Sequence, residues 1–80
     1  MTNEKEERAF LETQLQWVKQ RDALLEQIEK KLYEMKHIAE QVAVDDTSML
    51  ENQKYKLNDR FLQLKNEVAA LENELRILYN

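Results

Sequence analysis

One spacing in this 80-residue chain has a direct chemical meaning: Glu34-Met35-Lys36-His37. A glutamate followed three positions later by a histidine puts a carboxylate and an imidazole on one side of a helix. In four-helix bundles that pair, duplicated and joined by two further glutamates, holds a di-iron centre. A symmetric dimer would supply the duplication. The ligands must face the bundle interior, however, and the apolar row around them runs through Ile28, Leu32, Met35, Ile38, Ala39 and Val42. That row turns Glu34 and His37 toward water, so no metal ligand and no cofactor is expected. For His37 the expectation is an exposed side chain near a helix end, in weak favourable interaction with the helix dipole.

Other chemistry lacks its parts. The chain has no cysteine, no glycine and a single histidine, so nucleophile–base pairs and glycine-built oxyanion loops have no components. Ser48 is better used as a helix cap, and no catalytic residue is assigned. A basic segment directly before a leucine repeat would suggest a DNA-binding zipper. Here Asp45 and Asp46 precede the leucines, residues 30–44 carry Lys30, Lys31 and Lys36 against Glu34 and Glu40, and the net charge is −4. A repulsive field of that sign argues against nucleic acid. No window approaches about 18 apolar residues, and the first residues are acidic and polar. A cytoplasmic protein with no membrane partner is expected.

The elements that carry these residues follow from periodicity. Leu50, Leu57, Leu64, Leu71 and Leu78 recur every seventh position, with Lys54, Phe61, Val68 and Leu75 between them. Alternating steps of three and four put this row on one seam of a helix and ask for a second helix to cover it. With neither Gly nor Pro in the chain, and with Glu, Lys, Leu, Gln and Ala abundant, every local preference favours helix over strand. Upstream, Phe10, Leu11, Leu15, Trp17, Val18, Leu24, Leu25, Ile28, Leu32, Met35, Ile38, Ala39 and Val42 form a helical stripe about three positions wide, broader than a two-stranded seam requires. Its start is capped by Thr2 or Asn3, with Glu4, Glu6 and Glu7 against the positive end of the helix dipole.

Between the two runs, Asp45-Asp46-Thr47-Ser48 gathers short polar side chains that compete with helical hydrogen bonds, and Ser48 with Glu51 has the capping-box spacing. The row Phe10, Trp17, Leu24, Ile38 also fails to continue in phase into the leucine seam. The expected fold is therefore all-α: one domain over 1–80, an antiparallel two-helix coiled-coil hairpin, with a single long rod as the alternative because no Gly or Pro enforces the turn. Helix 1 is expected over about 3–43, a turn over 44–47, and helix 2 over about 48–79. Pairing outward from the turn brings Val42 to Leu50, Met35 to Leu57, Ile28 to Leu64, Leu24 to Val68 and Trp17 to Leu75. The core then comprises Phe10, Leu11, Trp17, Val18, Leu24, Leu25, Ile28, Leu32, Met35, Ile38 and Val42 of helix 1. Helix 2 supplies Leu50, Leu57, Phe61, Leu64, Val68, Leu71, Leu75 and Leu78.

A lone hairpin buries one side of each helix, and Phe10 and Leu11 overrun the end of helix 2. A homodimer forming a four-helix bundle is expected, with a tetramer or a hetero-complex as alternatives. Gln14, Arg21, Lys31 and Lys54 interrupt the apolar rows; the lysines are expected to lie along the core with their heads in water. Arg21 is expected to do the same or to meet Glu67, Glu72 or Glu74 across the hairpin. Tyr55, Leu62 and Ile77 lie off the leucine seam, where they either widen the core or present a face to another protein.

Leu24 through Leu32, followed by Asp46 and Leu50, gives a layout that resembles the aspartyl-phosphatase regulator family of small helical hairpins. The resemblance implies a helix, short turn, helix plan at this size. The family's S-Q-E-L-D signature is missing: the nearest stretch, Asn52-Gln53-Lys54-Tyr55-Lys56, keeps only the glutamine and has lysine at the place of the reactive aspartate. No activity is implied. The expected function is a non-catalytic interaction module, an adaptor, small regulator or chaperone-like factor that binds an unidentified protein. A self-associating coiled-coil spacer is the alternative, and a metal-binding bundle the third reading.

Overall fold

A chain of helix formers without Gly or Pro favours helix nearly throughout. The structure, a computed structural model, describes residues 3–44 and 50–79. Among these, two helices form and no strand: α1 over Glu4–Val44 and α2 over Glu51–Tyr79. Asn3 caps α1. Its Oδ1 accepts the Lys5 N–H at 3.1 Å, and its carbonyl accepts the N–H groups of Glu6 and Glu7 at 3.0 and 3.1 Å. Donors that have no partner within the helix are satisfied in this way. Thr2, the other expected cap, lies outside the described residues, as do the Asp45–Ser48 turn and the Ser48 capping box.

α2 starts later than position 48. Leu50 is still outside the helix, and its carbonyl accepts the first bonds, from Gln53 at 2.9 Å and Lys54 at 3.1 Å. This shifts the register of the hairpin. Trp17 was expected opposite Leu75; its indole Nε1–H instead reaches the Leu78 carbonyl, three residues further along, and its ring packs on Tyr79. With α1 running on to Val44 and α2 beginning only at Glu51, the midpoint between the two helices moves toward the C-terminus, and the partners on α2 move with it. Contacts from early α1 to late α2, and from Glu34 to Arg60, make the pair antiparallel.

The core lies at mid-hairpin. Ile28, Ile38, Leu64 and Val68 are buried, Leu64 completely. Trp17, Val18, Leu24, Met35, Leu57, Phe61, Leu71, Leu75 and Leu78 are half-buried around them. Six residues expected in the core are exposed in the hairpin: Phe10, Leu11, Leu25, Leu32, Val42 and Leu50. The reasons differ. Leu50 precedes the first turn of α2 and has no place on its inner face, so the covered seam begins at Leu57, and Val42 loses the partner expected for it. Leu25 and Leu32 sit on the far edge of a stripe wider than one neighbouring helix can cover. Phe10 and Leu11 overhang: 41 residues of α1 against 29 of α2 correspond to about 61 and 43 Å of helix. The result is a rod of 73 × 17 × 13 Å. Among the described residues no helix is long and apolar enough to cross a membrane.

Candidate interaction surface

The E-x-x-H pair is committed elsewhere. Arg60 of α2 grips the Glu34 carboxylate with both arms of its guanidinium, Nε to Oε1 at 3.0 Å and Nη2 to Oε2 at 3.1 Å. The two-point geometry is a strong form of charge-assisted hydrogen bond. It holds the Glu34 carboxyl below the usual carboxylate range and raises Arg60 above its own. His37 turns away to stack edge-on against Tyr33, 5.1 Å between ring centroids, on the exposed side of α1. Glutamate and histidine thus leave in different directions. Among the described residues no group of three or more His, Cys, Asp or Glu side chains is placed to hold a metal ion.

Two of the polar residues on the seam, Lys31 and Arg21, find charged partners. Lys31 pairs across the hairpin with Glu67 at 3.3 Å, a finding beyond mere snorkelling. Arg21 does not cross to α2. It pairs with its neighbour Asp22 at 3.1 Å and places its guanidinium 5.4 Å from the Trp17 ring centre. Glu67 is already engaged by Lys31, and the later start of α2 moves its acidic residues relative to Arg21. Lys54 is half-buried at the turn end of the hairpin.

A cluster at the open end was not anticipated. Trp17 donates to the Leu78 carbonyl at 2.9 Å, meets Tyr79 edge-on at 5.2 Å, and carries Arg21 over its face. The last carbonyls of a helix have no intrahelical partner, and in a chain without glycine the left-handed cap that usually satisfies them is costly. Trp17 supplies one donor from the neighbouring helix and so ties the end of α2 to α1.

What remains uncovered is ordered. Leu11, Val18, Leu25, Leu32 and Ala39 recur at sevens along α1, each one position after the inward row that holds Trp17, Leu24, Lys31 and Ile38. One position is about 100° around the helix, which places this row beside the hairpin interface. On α2, Tyr55 and Leu62 stand in the same relation to the inward Lys54 and Phe61. Two antiparallel helices are related by an axis perpendicular to their common plane, so equivalent positions fall on the same side of the pair. A shared groove agrees with this: Ala39 and Tyr55 line it together with Ile38, Val42 and Phe61. In its turn-end half, one broad face of the hairpin is therefore apolar across both helices, and beyond that the α1 row continues alone. Ile77 belongs to the opposite face, beside Ala23, Gln27 and Leu78. The three residues expected to form one partner surface are thus split, Tyr55 and Leu62 on one side and Ile77 on the other. The sevenfold recurrence from Leu11 to Ala39 was the available sequence signal; the width of the stripe concealed that it contains two separate rows.

No protein-family model, no curated protein and no solved structure matches the chain.

Proposed function

We propose that the chain is a non-catalytic protein–protein interaction module that acts as a homo-oligomeric helical bundle, in the manner of an adaptor or small regulator. The observation that carries this reading is the apolar face: Leu25, Leu32 and Leu62 are each more than two-fifths exposed at heptad-related positions. Scattered surface leucines are ordinary, but a contiguous apolar row rimmed by charge is a contact site. Support also comes from what the polar groups do. Glu34, Arg60, Lys31 and Glu67 spend their charges on holding the two helices together, which is a structural use.

The spacer reading draws on the 73 Å rod and differs in one respect: its only partner is itself. Affinity capture from native extract with wild type, Leu62→Lys and Ile77→Lys separates the two. Both substituted positions are exposed, so the hairpin should tolerate the lysine. A specific protein recovered with wild type and lost with one of the two variants is the expected result for an adaptor. Recovery of the chain's own copies alone would leave the spacer.

A further inference from the structure

We infer that the occupant of the apolar face is a second copy of this chain, docked antiparallel about a two-fold axis through Leu25, with the overhang of each copy lying over the turn-end groove of the other. The inference rests on the interaction-module reading and names its first partner. Three observations support it.

The row itself is symmetric. Leu11, Val18, Leu25, Leu32 and Ala39 are spaced evenly about Leu25, so an antiparallel copy brings Leu11 to Ala39, Val18 to Leu32 and Leu25 to its own counterpart. Leu25 also lies within one residue of the middle of α1, which runs from Glu4 to Val44. Two copies of α1 therefore overlap along almost their whole length, and neither overhang is left in water. Isologous self-pairing of this kind closes on itself as a dimer.

Size matches at the ends. Leu11 and Leu15 of the overhang are 65% and 53% exposed, bordered by Glu4, Glu7, Arg8 and Glu12. The groove that would receive them is apolar, lined by Ala39, Tyr55 and Phe61. A large leucine thus meets a small alanine. A parallel dimer would do the opposite: it would set leucine on leucine at one end and alanine on alanine at the other.

The area suffices. Two α1 helices in contact along about 60 Å, each about 10 Å wide, give roughly 600 Å² per copy and about 1,200 Å² in total, at the lower end of the range for stable specific interfaces. A monomer leaves all of the row except the half-buried Val18 exposed.

Because the chain lacks cysteine, single cysteines report the geometry in the full-length protein. Sedimentation equilibrium of wild type should give twice the 9.7 kDa chain mass. Under mild oxidation Leu25→Cys should form a covalent dimer. A mixture of Leu11→Cys and Ala39→Cys should form the mixed disulfide in preference to either homodimer, and Gln27→Cys, on the opposite face, should stay reduced. Leu25→Lys should weaken association at least tenfold. A monomer at tens of micromolar protein overturns the inference, as does a Leu11→Cys homodimer in place of the mixed one, or efficient cross-linking through Gln27→Cys. The two levels fail separately. A monomer that still captures another protein through Leu62 would sink the second copy and leave the interaction module. A dimer of the stated geometry that captures nothing would leave the inference and sink the adaptor.

Discussion

Among the described residues, Leu64 is the one side chain that the hairpin removes from water completely, and replacing it with alanine tests whether the core is where the structure places it. A buried leucine truncated to alanine costs about 2–5 kcal/mol, the spread reflecting how far the site collapses. Two helices open to water on both sides can close in or admit water more readily than a globular core, which points to the lower half, about 2–3 kcal/mol. An 80-residue chain has a total stability of about 4–12 kcal/mol, so about a sixth or more of it rests on this side chain. The matching drop in melting temperature is about 10–20 °C. Leu62, two positions away, is the control: it is 48% exposed, and Leu62→Ala should cost about 0.5 kcal/mol at high dilution. Urea denaturation followed by far-UV circular dichroism reads both. Raising the protein concentration should enlarge the Leu62→Ala loss, because association buries that face, while the Leu64→Ala loss stays nearly constant. Equal losses for the two variants at high dilution would refute the assignment of inner and outer rows.

Trp17→Phe keeps the aromatic pair with Tyr79 and removes the indole donor to the Leu78 carbonyl, so it should cost about 1 kcal/mol in urea denaturation, with Trp17→Ala costing more. A Phe variant as stable as wild type would remove the role of Trp17 as the tie at the end of α2. The Glu34–Arg60 pair has a pH signature. Glu34 titrates lower folded than unfolded, so its stabilisation is fully present above the usual carboxylate range and is lost as the pH falls through the lowered value. Wild type should lose stability across that acid window faster than Glu34→Gln, and parallel acid limbs would show that the pair contributes nothing. Arg60 is raised and stays charged throughout, adding no change at working pH. Asn3→Ala removes the Oδ1 acceptor for Lys5 and should cost about 1 kcal/mol of helix stability, seen as faster amide exchange over the first turns of α1 with the mid-hairpin amides unchanged.

The charged pairs show where sequence reading runs out. Glu26 with Lys30 and Lys36 with Glu40 are pairs four residues apart, visible from spacing alone because a helix brings such positions together. Lys31 with Glu67 and Glu34 with Arg60 require knowledge of register, and Arg21 chose Trp17 and Asp22 over the acidic residues expected for it. Trp17 could be read as an inward residue from its place in the stripe. Its hydrogen bond to a backbone carbonyl could not, because backbone acceptors leave no trace in residue identity.

The sequence by itself determined that this chain is helical with an interruption near Asp45–Ser48, and it favoured a hairpin over a single long rod without excluding the rod, because no Gly or Pro enforces the turn. Helix propensity, the cap at Asn3 and the leucine repeat act through bonds and neighbours within a turn or two, and these are written locally. It also determined that His37 faces water, since the apolar row around it admits no other rotation. Only the tertiary structure decided the register, which depends on where α1 ends and α2 begins. It alone decided which row of the wide α1 stripe is covered: Trp17, Leu24 and Ile38 sit against or beside α2, and Leu11, Leu25 and Leu32 face outward. All of these are equally apolar, and one neighbouring helix has room for a single seam. That steric limit, invisible in composition or periodicity, leaves an ordered apolar face for a partner to fill.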